Sequence, residues 1–66
     1  MQGKLTERET ATLNLVKNGY ENPEIAEELY ISRSTVKVYV SSLLEKLGAR
    51  NRTHAVYIAF KNGIID

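Results

Sequence analysis

Apolar residues recur along the chain at intervals of three and four, and breakers cut that pattern into four blocks. The first opens at Leu5-Thr6-Glu7-Arg8-Glu9. Thr6 with Glu9 three positions on is a capping box, and Glu7 and Glu9 suit the positive end of a helix dipole. The helix runs to about Asn18 with Leu13 and Val16 as its clearest inward residues, Leu15 or Thr12 at the edge, and Gly19 as its stop. The second block starts near Asn22-Pro23, with Asn22 as cap and the proline where a missing N–H costs nothing. Ile25, Ala26 and Leu29 form its apolar face, and Glu24, Glu27 and Glu28 its solvated one.

The third block is the longest. Ser32 is a good N-cap and Gly48 a good left-handed stop, and the fifteen residues between them contain neither Gly nor Pro. They predict a helix over about 33–47, roughly 22 Å long at ~1.5 Å per residue. Val36, Val40, Leu43, Leu44 and Leu47 make one stripe; Arg33, Ser34, Lys37, Val38, Ser41 and Glu45 lie opposite. An ordinary surface helix carries more acid and longer side chains on its outer face. This one suits entry into something narrow and negatively charged. Only Tyr30-Ile31 separates it from the second helix, so the two must cross steeply for Ile25, Leu29, Ile31 and Val36 to meet, with Ala26 small at the close approach. That is a helix-turn-helix.

A basic loop, Arg50-Asn51-Arg52-Thr53, leads to a last helix over roughly 53–62, stopped by Gly63. Ala55, Val56 and Ala59 can close the core. Tyr57, Ile58 and Phe60 then point sideways or outward, and Ile64 and Ile65 follow the stop, which is more apolar surface than packing requires and suits an interface. The pattern therefore predicts one all-α domain over 1–66, four helices with a central helix-turn-helix, and a loose N-terminus over 1–4.

Composition narrows the possibilities. The 66 residues include no cysteine, which removes disulfides and thiolate metal sites. The longest apolar runs fall far short of the ~20 residues that span a bilayer; a soluble cytoplasmic domain without membrane contact is expected. Net charge is only +1, but it is unevenly spread: residues 1–29 hold three basic groups against six acidic, residues 30–66 six basic against two. A chain so polarised can present a cationic face to a polyanion. His54 is the single histidine, and no cysteine or clustered carboxylates join it, so no enzyme, metal site or cofactor is expected.

Taken together, Leu5-Thr6-x-Arg8-Glu9, Gly19-x-x-Asn22-x-Glu24-Ile25-Ala26, Leu29-x-Ile31-Ser32-x-x-Thr35-Val36-Lys37, Lys46-Leu47-Gly48 and Arg52-x-x-Ala55-Val56 resemble, in order and spacing, the LuxR/GerE-type DNA-binding domain, the effector domain of NarL/FixJ response regulators. The likeness covers residues 5–65. It implies four helices, a central helix-turn-helix, dimerisation through the last helix, and activation or repression of bacterial transcription, with RNA polymerase as a candidate further partner. Three positions depart from the family's pattern. Tyr39 stands where His is usual, Ala49 where Val is usual, and Glu21 where Ser or Thr commonly caps the second helix. A carboxylate so near a phosphate-binding helix start weakens DNA binding unless it turns away.

Within this motif Lys37 is the leading base reader, since its amine can donate to guanine O6 and N7; otherwise it is a solvated lysine. Val38 suits a thymine methyl or the edge of the core. Ser34 and Ser41 flank Lys37 and suit bases, phosphates or mere filling. Arg33, Thr35, Lys46, Arg50 and Arg52 are placed for the sugar-phosphate backbone, with Asn22 and Tyr39 beside them. Arg52 has the alternative of pairing internally with Glu9, and Tyr30 and Tyr39 that of packing. Tyr57, Ile58, Lys61, Ile64 and Ile65 are the expected homodimer interface, weak for an isolated domain. The expected function is sequence-specific binding of double-stranded DNA, with the third helix in the major groove. The rival is a helical protein-interaction module that kept the scaffold, a reading to which Glu21 and the acidic second helix lend weight.

Overall fold

The computed structural model describes residues 4–66, and every regular element in them is helical: α1 Glu7–Lys17, α2 Asn22–Leu29, α3 Arg33–Leu47 and α4 Arg52–Lys61. α3 runs through the centre and packs on each of the other three; α2 and α4 do not pack on one another. The expected loose N-terminus falls, for residues 1–3, outside the described residues. Lys4 is exposed, and its carbonyl accepts from Lys46 Nζ at 3.2 Å.

The helix ends follow local chemistry. Thr6 and Glu9 close the capping box of α1, Glu9 N–H donating to Thr6 Oγ1 at 3.1 Å and Thr6 N–H to Glu9 Oε1 at 2.9 Å. α2 is capped differently from the expectation. Glu21 occupies the N-cap, its N–H donating to the Glu24 carboxylate at 2.7 Å, and Asn22 is already helical. The side chain of Asn22 has another use, described below. Tyr30 ends α2 with φ +58°, the one left-handed non-glycine among the described residues. This conformation costs an L-residue roughly 1–2 kcal/mol. It lets Ile31 N–H return to the Ala26 carbonyl at 3.0 Å and turns the chain sharply into α3. Ser32 caps α3 by accepting from Thr35 N–H at 3.1 Å, and Gly48 stops it at φ +66°. α4 begins one residue earlier than expected, because Asn51 caps it by accepting from His54 N–H at 2.8 Å.

Two apolar clusters meet at α3. Leu13, Leu43, Ala55, Ala59 and Ile65 join α1, α3 and α4, whereas Ile25, Ala26, Val36 and Val40 join α2 to α3; Leu44 touches both. Each fully buried Leu, Ile or Val contributes about 1.5–3 kcal/mol against the cost of ordering the chain.

Two inward assignments change. Thr12 is fully buried while Val16 is only half-buried, and the threonine is accommodated because its hydroxyl donates to the Arg8 carbonyl at 2.8 Å. Ile65, expected at a dimer interface, is 5% exposed and belongs to the core. The inward face of α4 offers only Ala55 and Ala59 at full burial, which leaves space. Gly63, at φ +71°, turns the chain back so that Ile64 N–H reaches the Ala59 carbonyl at 2.8 Å and Ile65 fills that space.

Candidate nucleic-acid interface

The outer face of α3 is where the fold leaves polar and basic side chains without internal work. Arg33, Ser34, Lys37, Val38 and Ser41 are all exposed, and no acid lies among them before Glu45. Val38 is 63% exposed, so the edge-of-core alternative does not hold. An exposed valine in the middle of a polar face is unrewarded in water. Thr35 and Tyr39 are half-buried at the sides, Thr35 Oγ1 lying 2.9 Å from Ser32 Oγ in the cap. The structure thus brings Arg33, Ser34, Lys37, Val38 and Ser41 onto one helical surface about two turns long.

Three of the expected backbone contacts are occupied inside the molecule or held by it. Lys46 is half-buried and makes an ion pair with Glu9, Nζ to Oε1 2.8 Å. Arg52 pairs neither with Glu9 nor with solvent alone: Nη1 donates to Asn22 Oδ1 and Nη2 to the Tyr20 carbonyl at 3.0 Å. Asn22 is therefore the third group so engaged. Arg50 is exposed, and its backbone N–H donates to His54 Nδ1 at 3.0 Å, which fixes the loop that presents its side chain.

Glu9 is the residue the sequence reading undervalued. It is 5% exposed, and beyond the capping box its carboxylate accepts from Lys46 and from Ser42 Oγ at 2.5 Å. Burial by itself pushes the Glu9 carboxyl up. The Lys46 ammonium, the Ser42 hydroxyl and the Thr6 N–H outweigh that and hold it down at about 2. The capping box signalled a role for Glu9 at the helix start, but nothing in local spacing signalled a partner on α3.

On α4, Tyr57 (57%) and Phe60 (63%) are largely exposed and Ile58 is half-buried; past the end of the helix Ile64 is 39% exposed. Lys61 Nζ lies 6.0 Å from the Tyr57 ring centroid, and the His54 and Tyr57 rings stack at 6.4 Å. Tyr57, Phe60 and Lys61 thus remain as an exposed amphipathic surface of α4, with Ile64 exposed beyond its end, after Ile65 is assigned to the core. No helix among the described residues is long and apolar enough to cross a membrane.

Comparison with known proteins gives a consistent result. The family model for bacterial regulatory proteins of the luxR family matches residues 3–59. The chain is 49% identical over 59 residues to the transcriptional regulatory protein DegU of Brevibacillus brevis, covering 89% of this chain and 25% of that protein. It is 48% identical over 62 residues to the response regulator protein VraR of Staphylococcus aureus, covering 94% of this chain and 30% of the relative. The crystal structure of the response regulator ChrA, from a heme-sensing two-component system, superposes with a TM-score of 0.92 at 34% identity, over 98% of this chain and 32% of that one. The chain thus spans about a quarter to a third of the length of these relatives.

Proposed function

Because the chain belongs to the luxR family of bacterial regulatory proteins, a family of DNA-binding transcription regulators with a helix-turn-helix, we propose that α3 is its recognition helix and enters the major groove of double-stranded DNA. The observation that carries this reading is the exposed, acid-free face formed by Arg33, Ser34, Lys37, Val38 and Ser41. Lys37 donates to a guanine edge, Val38 meets a thymine methyl, and Ser34 and Ser41 complete the base contacts. Arg33, Thr35, Tyr39, Arg50 and Asn22 hold the sugar-phosphate backbone, which fixes register without reading sequence. Lys46 is left out of this set because Glu9 holds it, and Arg52 because Asn22 and Tyr20 do.

Two copies associate through the exposed surface of α4, so that two recognition helices meet successive half-sites. One short helix buries little area, and association of the isolated domain is correspondingly weak. Occupation of promoter DNA, with RNA polymerase as a downstream partner, is the proposed role in the cytoplasm.

The test is titration against a duplex enriched from a random-sequence pool, at several salt concentrations. With roughly two phosphates neutralised by Arg33 and Arg50, log K should fall with log salt at a slope near −2 per domain. A flat salt response, together with retention of a protein in pull-down, would favour an interaction module, to which the exposed glutamates of α2 lend their weight.

A further inference from the structure

The bridge between Arg52 and Asn22 does something that a phosphate-binding arginine would not. α2 and α4 do not pack on each other, yet the guanidinium at the start of α4 spans the gap to the start of α2. It donates to the Asn22 side chain, 30 residues away, and to the Tyr20 carbonyl, 32 residues away. A guanidinium has donors only, so the Asn22 amide must turn its oxygen toward Arg52 and its NH₂ away. No described group accepts from that Nδ2, and no buried side-chain polar atom among the described residues lacks a partner. The NH₂ therefore faces solvent, at the first turn of the helix that crosses the sugar-phosphate backbone in helix-turn-helix complexes. The Glu21 N–H beside it is already taken by the Glu24 carboxylate at 2.7 Å.

We propose that Arg52 is a positioning residue: it holds the Asn22 amide with its NH₂ turned toward a DNA phosphate and makes no DNA contact of its own. This rests on the DNA-binding reading above. An amide fixed before the encounter loses little rotamer freedom on binding, so the contact contributes more than a free asparagine would. The arrangement also separates fold from function at one position. A carboxylate at 22 would pair with Arg52 at least as well as the amide does, because the bond becomes charge-assisted, but would present oxygen to the phosphate instead of N–H.

The experiment uses Asn22→Asp, Asn22→Ala, Arg52→Lys and the Asn22→Ala/Arg52→Lys pair, titrated at several salt concentrations against the enriched duplex and a shuffle of it, with thermal unfolding alongside. Asn22→Asp should unfold at or above the parent temperature yet bind both duplexes about tenfold more weakly or worse, and Asn22→Ala should lose about three- to tenfold. Arg52→Lys keeps the charge but not the fork; it should lose as much as Asn22→Ala, with the salt slope unchanged and no further loss in the pair. Parent-like binding by Asn22→Asp or Asn22→Ala overturns the proposal, as do additive losses in the pair. Should Arg52→Lys not fold, the two Asn22 variants decide. If the parent itself shows no salt-dependent duplex binding, the DNA-binding reading fails; if the parent binds and the Asn22 variants match it, only the positioning role does.

Discussion

Lys46 Nζ lies 2.8 Å from Glu9 Oε1, a contact across 37 residues of chain. The same carboxylate holds Ser42, one turn earlier on α3, and the same ammonium reaches the Lys4 carbonyl at 3.2 Å. The far half of α3 is thereby fastened to the first turn of α1, while its leading half keeps an unattached outer face. Rigidity at one end and availability at the other are what the proposed groove entry requires.

The Glu9 network makes stability depend on acid. The folded carboxyl titrates at about 2, below its ordinary 4.5. The stabilisation is therefore present in full above pH 4.5 and is lost as pH falls from there to about 2. A shift of that size corresponds to roughly 3 kcal/mol, a large share of a small domain's stability. Glu9→Gln should lower the unfolding temperature at pH 7 and flatten its dependence across that acid window. An unchanged pH profile in the variant would show that other carboxylates govern acid unfolding.

Lys37 and Lys46 sit on one helix and should respond oppositely. Lys37→Ala should leave thermal stability within about 0.5 kcal/mol of the parent, and cost ~1–3 kcal/mol on the enriched duplex with much less on a shuffled one. Lys46→Ala should destabilise by about 2–3 kcal/mol, less than a fully buried pair because the lysine is partly solvated, and leave the salt slope of binding unchanged. A slope reduced by about one in folded Lys46→Ala would return that lysine to the phosphate contacts.

The difference between these lysines marks where sequence reasoning stops. The four helices were legible because caps, stops and periodicity are local: Thr6 with Glu9, Ser32, Gly48 and Gly63 each act within one turn. The outer face of α3 was legible for the same reason, since helical spacing alone places Arg33, Lys37 and Ser41 together. Partnerships between helices were not. Whether Arg52 meets Glu9, Asn22 or a phosphate depends on how α4 lies against the α1–α2 loop, and spacing along the chain carries no such information. Ile65 was misplaced because two alanines on α4 left room that only the packed structure reveals.

Glu21 should act as a brake on binding. It is exposed at the start of α2, beside the Asn22 amide proposed to meet a phosphate. A like charge there costs roughly 0.5–1 kcal/mol at low ionic strength and fades as salt screens it. Glu21→Gln should tighten binding to both duplexes by about two- to fivefold in low salt, with the gain shrinking as salt rises. Equal affinities of parent and variant at every salt concentration would mean that the carboxylate points away from the DNA.

Ile64 and Ile65 are adjacent and nearly identical in chemistry, yet one faces solvent and the other the core. Ile64 is 39% exposed at the rim of a groove it shares with Leu5 and Leu47, whereas Ile65 is 5% exposed against Leu13, Leu43 and the alanines of α4. Ile65→Ala removes buried volume that small neighbours cannot refill and should cost about 2–4 kcal/mol. Ile64→Asp should change stability by less than about 1 kcal/mol. By placing a charge at the exposed apolar position just past α4, it should abolish cooperative filling of paired half-sites while leaving single half-site affinity intact. Denaturant unfolding separates the first pair of outcomes, and titration of one-site and two-site duplexes the second. Cooperative filling by Ile64→Asp equal to the parent's would place the contact between copies elsewhere than on this face of α4, and a large loss of stability in that variant would mean that Ile64 also belongs to the core.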